Sequence, residues 1–555
     1  MLREKMNEQG VHAYIIPSTD PHLNEYVPAH YKSREWISGF TGSAGLVVVT
    51  HEKAILWTDG RYYIQAAKQI EDSEFEFYKM EKGTPNYIEF IGDTLLKGQK
   101  VGFDGKSLPC VDVLKMKKTF DEKGISIKSD IDLINEIWVD GRPTISRDKA
   151  FVHDVAFAGL SVKEKLEQVL TEMDKHKVNH YIVSALDSIA WFLNIRGNDV
   201  SYVPVVISYL LISKDSVTWF VDQDKLTDEI RDHLGKNDVL VKDYDSVFQE
   251  ISGISDDSNI LVDNKKNSYA IYSAVKDEKA VNKDDIIIKL KGVKNSVEIE
   301  NMKETHIKDG VAMVNFLHWL DTNIGVEEIT EIDIAQKLVE LRTEQEHCLG
   351  ASFDTIAGYN ANAAMMHYMA TPENYAVLKP EGVLLVDSGG QYLGGTTDIT
   401  RTMVLGDISE EQIRDFTLVL KAKMAMSRAI FLEGSSGKSL DALARQPLWE
   451  NHMNYKCGSG HGLGYCLSVH EGPHGFGVDV PFEEGMVVTI EPGVYKENRY
   501  GIRTENTLVV VKDKLDEDAG QFYRFDMLTY CPIDIRAIDT SLLRQDEIDW
   551  VNNYH

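Results

Sequence analysis

The first half of the chain repeats one pattern of hydrophobic and polar positions. A helix-like LREKM precedes the apolar run at 11–16, and LEQVLTEMDKHK precedes a similar run at 178–183. A tryptophan and a glycine turn follow each run, in WISGFTGSAG and in WFLNIRGNDV, and later runs end in WTD and WFVD. Short apolar runs that alternate with helical periodicity predict α/β units. We interpret the repeat as two related α/β domains, with a chance likeness of two ordinary helix–strand units as the alternative.

Capping and turn signals predict where these units begin and end. Ser161 and Glu164 form a capping-box pattern, and apolar residues at helical spacing follow them. A polar, proline-bearing stretch at 140–158 comes before that helix. A second change lies in LKGVKNSVEIE, where the strand-like IIIKLKGV gives way to a helix-like sequence. We therefore expect domains at 1–150, 151–296 and 297–555.

The last part of the chain mixes helices with strands. One amphipathic pattern contains Ile299 and Met302, and another begins at the capping sequence TEID at 330–333. Beyond about residue 380, the apolar runs VLLVD, TRTMVL, MVVTI and TLVVV are separated by glycine turns. A helix-like stretch, EEQIRDFTLVLKAKMAMSRAIF, interrupts them. The expected fold is therefore α/β overall, with an α+β domain at the end.

Composition and charge exclude several classes of protein. A chain of 555 residues is too long for one hydrophobic core. The 88 acidic residues outnumber the 59 basic ones, and a net charge of −29 argues against binding nucleic acid or an anionic membrane through a general electrostatic field. No apolar run is long enough to span a membrane, and the N-terminus does not look like a signal peptide, so we expect a cytoplasmic protein. Five scattered cysteines without a CxxC pair fit reduced thiols.

Four carboxylates and one imidazole lie beside glycines or at strand ends in the last domain. They are Asp387, Asp398, His461, Glu491 and Glu505, in VLLVDSGG, GGTTDITRT, GSGHGLG, VVTIEPG and GIRTENTLVV. Glycine turns allow two hairpins, each of which presents two of the carboxylates. A single acid beside glycines is usually a turn residue, but four negative charges in one pocket require cations. This ligand set predicts two divalent metal ions, with Mn²⁺ favoured and Co²⁺ or Zn²⁺ as alternatives.

These motifs resemble those of the three-domain Xaa-Pro aminopeptidases of peptidase family M24, and the resemblance covers nearly the whole chain. STDPHLNEYV, WISGFTGSAG, LWTDGRYYIQA and NIRGNDV are similar to segments of the family's first two domains. SFDTIAG, HYMAT, VDSGGQYLGGTTDITRT, GSGHGLG, VHEGP, EPGVY and GIRTEN follow in the family's order. The resemblance implies two creatinase-like α/β domains followed by a catalytic domain with the pita-bread fold.

The resemblance also implies an activity. Members of this family release the N-terminal residue from peptides with proline at the second position, by attack of a hydroxide that bridges two metal ions. The five residues named above match the family's metal ligands, and Asp398 and Glu505 match those that bridge both ions. The implied partners are peptides with an N-terminal Xaa-Pro sequence, and a second copy of the chain in a homodimer formed through the catalytic domain.

Further residues match positions near the family's substrate. His367, in MMHYMAT, and His470, in VHEGP, match histidines that move protons and stabilise developing negative charge. Glu491 is a candidate for proton transfer to the prolyl nitrogen. Arg503 and Tyr495 match positions near the site, where Arg503 is expected to bind substrate or support a ligand; a surface salt bridge is the alternative. Without the resemblance, His367 beside two methionines would be interpreted as a packed or capping histidine.

Two features depart from the family pattern. Many members carry a histidine four residues before the ligand histidine, in HGTGHG, where this chain has Cys457. A thiol cannot reproduce the hydrogen bonding or charge of an imidazole. The family usually continues beyond the final segment with a helical tail, so an end at His555 is expected to mark a shortened or unusually short chain.

Two other functions fit parts of the sequence. Prolidases share the five ligands but cleave only Xaa-Pro dipeptides; the length and the doubled N-terminal units favour the aminopeptidase. Pita-bread domains without metal serve as peptide- or histone-binding modules, but all five ligands are present here. Hydrolysis of Xaa-Pro-Yaa tripeptides separates the first pair of functions, and a metal assay separates enzyme from binding module.

Overall fold

The computed structural model describes residues 1–555, with the side chain of Ile64 excepted. The chain forms two compact units. The first contains Met1–Val152, Val162–Ser201 and Val205–Ile287, and the second contains His153–Ser161, Tyr202–Pro204 and Ile288–His555.

The first unit begins with a six-stranded sheet. Its strands β1–β6 are Ala13–Pro17, Leu46–Thr50, Ala54–Thr58, Phe75–Lys79, Lys100–Phe103 and Ser126–Lys128, in the order β4-β3-β2-β1-β5-β6. Helices α1–α6 are Leu2–Gln9, Ser33–Ser38, Tyr63–Gln69, Tyr87–Thr94, Cys110–Lys123 and Leu133–Ile137. Alternate residues of β1 enter different cores, because Tyr14 packs in the same cluster as Met6 of α1, whereas Ile15 packs with Val113 of α5. Both faces of the sheet are therefore covered, which explains why the strand is almost continuously apolar.

A second six-stranded sheet in the same unit repeats this topology. Strands β7–β14 are Phe151–Val152, His180–Val183, Ile195–Arg196, Ser208–Ser213, Val217–Val221, Val239–Lys242, Ile260–Val262 and Ala280–Asn282. The sheet order is β12-β11-β10-β8-β13-β14, and β8 is antiparallel to β10 and parallel to β13, as β1 is to β2 and β5. Helices α7–α12 are Val155–Ala158, Val162–His176, Leu186–Leu193, Asp228–Lys236, Val247–Ser252 and Tyr269–Ala274. The matching order and directions confirm the prediction of two related α/β domains.

One predicted strand is a helix. The segment IIIKLKGV forms α13, Ile286–Gly292, so the strand interpretation of this run is wrong. The side chain of Asp285 accepts a hydrogen bond from the backbone N–H of Ile287 at 2.8 Å, in the manner of a helix N-cap. Branched side chains favour strands only weakly, and the cap decides the local conformation here.

The second unit contains long helices and several small sheets. Helices α14–α18 are Ser296–Asn323, Glu331–Thr343, Glu410–Ser427, Gly437–Trp449 and Gln545–Tyr554. Strands β15–β26 are Cys348–Ala351, Ile356–Tyr359, Val383–Ser388, Gly390–Tyr392, Gly395–Thr396, Ile399–Val404, Ile430–Leu432, Val487–Ile490, Gly493–Lys496, Tyr500–Arg503, Asn506–Asp516 and Gly520–Met527. Capping boxes at Asn295, Thr330 and Ser409 begin α14, α15 and α16, which confirms the three predicted helices.

Across the described chain, no helix combines the length and the apolar character that crossing a bilayer demands.

Two pairs of strands in this unit each enclose a smaller hairpin. Strand β17 pairs with β20, and the chain between them forms the β18–β19 hairpin, which joins a different sheet with β15. Strand β22 pairs with β25, and the chain between them forms the separate β23–β24 hairpin. The two predicted hairpins are thus present as outer strand pairs, and each contains an inner hairpin that the sequence pattern does not predict.

The sheet that carries the first pair is held by two long helices. Phe316 of α14 and Leu338 of α15 pack in one core with Leu384, Val386 and Met403 of β17 and β20. All of these side chains are buried, and each contributes roughly 1.5–3 kcal/mol of hydrophobic stabilisation. The ends of β17 and β20, where the acidic residues lie, are therefore fixed by a well-packed core.

Candidate metal centre

The four carboxylates lie at the ends of the two outer strand pairs. Asp387 is in β17, opposite Thr400 of β20, and Asp398 immediately precedes β20. Glu491 immediately follows β22 and Glu505 immediately precedes β25, beside the last register pair of those strands. The antiparallel pairing therefore brings acids that are distant in sequence to the same strand ends.

Backbone and side-chain hydrogen bonds join the two strand pairs at this point. The N–H of Glu505 donates to the carbonyl oxygen of Thr400 at 3.1 Å, and the hydroxyl of Thr400 donates to Oε2 of Glu505 at 2.8 Å. The hydroxyl of Thr507 donates to the carbonyl oxygen of Asp398 at 3.2 Å. The four acids consequently form one cluster rather than two separate pairs.

His461 completes the cluster. Its Nε2 lies 3.4 Å from Oδ2 of Asp398 and 3.7 Å from Oε1 of Glu491. Ligand atoms of Asp398, His461 and Glu505 lie within 4.8 Å of one another. Atoms that bind one cation at about 2.1 Å are separated by roughly 3–4 Å, so these separations suit ligands that share an ion.

The ring orientation of His461 presents one nitrogen to the carboxylates. Nδ1 lies 3.0 Å from the carbonyl oxygen of Gly462, which can only accept a hydrogen bond. That contact requires a proton on Nδ1 and leaves Nε2 facing Asp398 and Glu491. An outer hydrogen bond of this kind is the usual way a protein fixes the tautomer of a metal-binding histidine.

Two carboxylate oxygens supply an independent test of whether these residues fit a metal. Oδ1 of Asp387 and Oε1 of Glu505 are buried, and neither has a hydrogen-bond partner in the part of the chain that the structure describes. A buried carboxylate oxygen without a partner is strongly destabilising. Cations held between these side chains would supply the missing interaction, so the donor set fits divalent metal ions.

The electrostatics of the cluster lead to the same conclusion. Burial raises the pKa values of Asp398 and Glu505 well above the usual carboxyl range, and the charges of the neighbouring carboxylates raise them further. Burial also raises the pKa of Glu491, although the nearby His461 opposes the shift. Crowded, buried carboxylates resist ionisation unless a positive charge stands between them.

Arg503 forms an ion pair with Asp387, one of the four acids of the cluster. Its Nη2 donates to Oδ2 of Asp387 at 2.6 Å, its Nη1 donates to the hydroxyl of Tyr495 at 2.6 Å, and its Nε donates to the hydroxyl of Thr400 at 3.2 Å. The arginine is 3% exposed, so the alternative of a surface salt bridge is wrong. The contacts support the expectation that Arg503 orients a ligand, and direct binding of substrate by Arg503 stays a prediction.

Comparison with known proteins identifies the family. Residues 300–512 match "Metallopeptidase family M24", residues 1–137 and 141–298 each match "Creatinase/Prolidase N-terminal domain", and residues 521–555 match the C-terminal region of peptidase M24. A protein of Botryotinia fuckeliana (strain B05.10) named "Probable Xaa-Pro aminopeptidase P" is 38% identical over 100% of this chain and 88% of its own length. The chain belongs to metallopeptidase family M24.

Other members of family M24 support this assignment over the whole chain. "Aminopeptidase P2" of Arabidopsis thaliana is 36% identical over 98% of this chain and 82% of its own. The crystal structure of an X-prolyl aminopeptidase from Caenorhabditis elegans, described as "a cytosolic enzyme with a di-nuclear active site", superposes with a TM-score of 0.93 and 34% identity. It covers 98% of this chain and 91% of its own. These matches confirm the predicted order of creatinase-like domains followed by an M24 catalytic domain.

Both histidines expected from the M24 resemblance are exposed. The ring of His470 stands edge-on to the ring of His461, with 4.3 Å between ring centroids. His367 follows Met366, whose carbonyl oxygen accepts a hydrogen bond from Nη2 of Arg503 at 3.5 Å. The structure therefore brings His470 against His461 and the backbone next to His367 against Arg503, and the exposure of His367 disfavours the packed alternative. Their catalytic roles stay predictions.

Cys457 lies beside the cluster in this M24 member. Its thiol is half-buried; burial raises its pKa to about 11, and the charge of Glu491 contributes to the shift. The hydroxyl of Tyr495, which also accepts from Arg503, is close enough to affect the same thiol. At neutral pH the residue is a neutral thiol, so it cannot supply the positive charge that an imidazole would.

Two residues of the TTDITRT motif support the site and were not predicted. Thr400 bonds to Glu505 and to Arg503, and Arg401 donates from Nη1 to the carbonyl oxygens of Thr400 and Glu505. Arg401 is 1% exposed, and its Nη2 also donates to the hydroxyl of Tyr554 in α18. An arginine within an otherwise buried strand is the signal that would have revealed it.

Proposed function

We propose that this chain is a metal-dependent aminopeptidase that releases the N-terminal residue from peptides with proline at the second position. The observation that carries the proposal is the cluster of four carboxylates and one imidazole in a chain that is 36–38% identical, along nearly all of its length, to proteins named as Xaa-Pro aminopeptidase P or aminopeptidase P2. The reaction consumes one water and converts the Xaa–Pro amide into a free amino acid and a shortened peptide with N-terminal proline.

The five clustered residues would hold two divalent metal ions. Oxygen ligands with one imidazole favour Mn²⁺, and Co²⁺ or Zn²⁺ would also fit. The solved relative from Caenorhabditis elegans is described as having a di-nuclear active site, which supports two ions here. When bound, such ions polarise a carbonyl oxygen and lower the pKa of water. Asp398 and Glu505, which are buried, would hold the ions together with Asp387, His461 and Glu491.

The chain's own residues would control protons and charge during cleavage. His470, exposed beside His461, can donate a hydrogen bond to the carbonyl oxygen as negative charge develops on it. We assign His367 the same role or that of a proton shuttle. Glu491 lies beside His461 at the half-exposed side of the cluster, and it is the residue we assign to accept a proton from water and return it to the prolyl nitrogen as the bond breaks.

Arg503 and Tyr495 would keep these ligands in position. The guanidinium stabilises the charge of Asp387 through the 2.6 Å contact and is itself oriented by the Tyr495 hydroxyl. Binding of substrate by Arg503 is a further part of the proposal, supported only by the position of Arg503 beside Asp387.

Several further properties follow from the same proposal. We propose domain boundaries at 1–150, 151–296 and 297–555, a homodimer formed through the last domain, and residence in the cytoplasm. The description of the Caenorhabditis elegans relative as cytosolic supports the last of these. The net charge of −29 supports the expectation that neither nucleic acid nor an anionic membrane is a partner.

A peptide panel tests the proposed activity against prolidase activity. The purified protein, loaded with Mn²⁺, is given an Xaa-Pro dipeptide, Xaa-Pro-Yaa tripeptides, longer Xaa-Pro peptides and matched peptides with alanine in place of proline. We expect hydrolysis of the tripeptides and longer peptides, with little action on the dipeptide or the alanine series. Cleavage of the dipeptide alone would show a prolidase, and a lack of all cleavage with stoichiometric metal bound would contradict an enzymatic role.

A further inference from the structure

His367 lies in a segment that has little regular structure to hold it. In the described backbone, residues 365–382 form neither helix nor strand, and isolated bridges are their only ladder contacts. Met366 and His367 are consequently positioned by contacts with other parts of the unit. One such contact is the 3.5 Å bond from Arg503 to the carbonyl oxygen of Met366.

A buried carboxylate supplies a second and stronger anchor. Glu331, the first residue of α15, is 0% exposed, and its side chain accepts hydrogen bonds from residues on both sides of His367, at the two ends of the segment 359–376. Oε1 accepts from the N–H of Tyr359 at 2.7 Å, and Oε2 accepts from the N–H of Ala376 at 2.7 Å. Oε2 also accepts from the hydroxyl of Tyr368 at 2.8 Å, and Nδ2 of Asn362 donates to both oxygens at 3.0 and 3.1 Å.

One of the residues that bonds to Glu331 is adjacent to the histidine in the chain. Tyr368 directly follows His367 and is 4% exposed, whereas His367 itself is exposed. The buried tyrosine contacts Glu331, whereas the neighbouring histidine is exposed. A displacement of the Tyr368 hydroxyl moves the backbone of His367 with it.

All of the partners of Glu331 are donors, and this makes the carboxylate hard to replace. An ionised carboxylate accepts at both oxygens, whereas a glutamine side chain presents an NH₂ group at one of them. In either orientation of the amide, the NH₂ group would face the backbone N–H of Tyr359 or that of Ala376. One end of the segment would lose its acceptor, and hydrogen bonds to a charged acceptor are about twice as strong as neutral ones.

From these contacts we infer that Glu331 is a positioning residue for His367. It closes the segment from Tyr359 to Ala376 around the start of α15 and so holds His367 at the rim of the metal cluster. The inference rests on the proposed function, because it gives His367 a role in peptide hydrolysis. Its effect should appear in the chemical step more than in peptide binding.

The test is a double-mutant cycle with Glu331→Gln, Tyr368→Phe and His367→Ala in the full-length, Mn²⁺-loaded protein. A misplacement of about 1 Å in a group that acts on the substrate can lower the rate about 100-fold, so we expect Glu331→Gln to lower kcat by roughly 10- to 100-fold with a small change in KM. Tyr368→Phe, which keeps the ring and removes one bond, should lower kcat less. In the His367→Ala background, either change should lower kcat by less than about 3-fold.

The matched control is Asp333→Asn. Asp333 lies in the same first turn of α15, but its carboxylate accepts from Thr330 and, among the described residues, makes no hydrogen bond to the segment 359–376. We expect a small loss of stability with kcat unchanged. Measurement of metal content and of the melting temperature of every variant separates a misplaced histidine from a loss of folded or metal-loaded protein.

Two results would overturn the inference while leaving the proposed function intact. The first is an equal loss of kcat from Glu331→Gln with and without His367, because a general structural effect does not depend on that side chain. The second is unchanged kcat in both Glu331→Gln and Tyr368→Phe. Absence of hydrolysis by the wild-type, metal-loaded protein would instead refute the proposed function, and with it the role given to His367.

Discussion

Nη2 of Arg503 donates to Oδ2 of Asp387 at 2.6 Å, while Oδ1 of the same carboxylate is buried without a hydrogen-bond partner among the described residues. One oxygen is thus held by the protein and the other is left for a cation. The same division occurs in Glu505, whose Oε2 accepts from the hydroxyl of Thr400 and whose Oε1 has no such partner. Each acid is thus oriented by a donor from another strand, Arg503 of β24 for Asp387 and Thr400 of β20 for Glu505.

Arg503→Lys should weaken metal binding more than it slows the chemistry. A lysine keeps the charge but cannot bond to Asp387, Tyr495 and Thr400 together, because it lacks the planar fork of the guanidinium. Loss of an outer-shell partner typically weakens metal affinity by about 10- to 100-fold. Titration of metal-free protein with Mn²⁺ by calorimetry measures the affinity. Arg428→Lys, at an exposed pair with Asp546, is the control and should leave it unchanged.

Thr400→Val should have a similar effect through Glu505. The change keeps the branched shape of the side chain. It removes the 2.8 Å hydrogen bond to Oε2 of Glu505 and also the acceptor of the 3.2 Å hydrogen bond from Nε of Arg503. We expect Mn²⁺ affinity to fall by about 10-fold or more, and Thr400→Ser to restore most of it. Thr402→Val is the matched control, because that hydroxyl bonds to the backbone of Arg503 and to neither carboxylate. Equal losses from the two valine variants would contradict a specific role for Thr400.

Local sequence identifies the five clustered residues but does not identify Thr400. Asp387, Asp398, His461, Glu491 and Glu505 stand beside glycines or at strand ends, so local sequence marks each of them. Thr400 and Glu331 look ordinary in sequence, and their importance depends on register and on contacts across the unit. Their partners lie 105 residues away for Thr400 and up to 45 residues away for Glu331.

The fold shows the same limit. Doubled apolar runs predict the two related sheets because each run is local, and their matching strand orders confirm that prediction. The inner hairpin β18–β19 pairs with the distant β15, which no local pattern reveals. The run IIIKLKGV was predicted as a strand because branched side chains favour strands, whereas the cap by Asp285 begins a helix.

Without metal, the contribution of Asp398 and Glu505 to the stability of the protein should fall as the pH rises. Burial raises the pKa values of Asp398 and Glu505 in the folded chain, so the folded state holds protons that the unfolded state releases above a pKa of about 4. Stability is therefore lost as the pH rises from that value through the raised folded pKa. Thermal unfolding of metal-free protein between about pH 5 and about pH 8 checks this trend.

The control for the pH trend is Asp398→Asn in the same metal-free state. It removes one of the two carboxyls with strongly raised pKa, so its melting temperature should depend less on pH. Addition of Mn²⁺ to the wild-type protein should raise the melting temperature more at the higher pH, because the metal binds the ionised carboxylates. A melting temperature that depends on pH equally in Asp398→Asn and in the wild-type protein would contradict the account.

Cys457→His should introduce a new ionisation into the rate profile. The thiol of Cys457 has a pKa of about 11, so it does not titrate near neutral pH. An imidazole there would change charge close to its usual pKa of about 6.5, beside Glu491 and Tyr495. We expect the pH dependence of kcat/KM to gain or shift a limb between about pH 5 and about pH 8. An unchanged rate and profile would show that this position is incidental.

The most direct measurement combines metal content with hydrolysis on one preparation. Purified protein is assayed for Mn, Co and Zn, then tested on an Xaa-Pro-Yaa tripeptide before chelation, after chelation, and after return of Mn²⁺. The account predicts two metal ions per chain, loss of cleavage with the chelator, and recovery with Mn²⁺. Absence of stoichiometric metal without rescue by Mn²⁺, or cleavage that persists in metal-free protein, would contradict it.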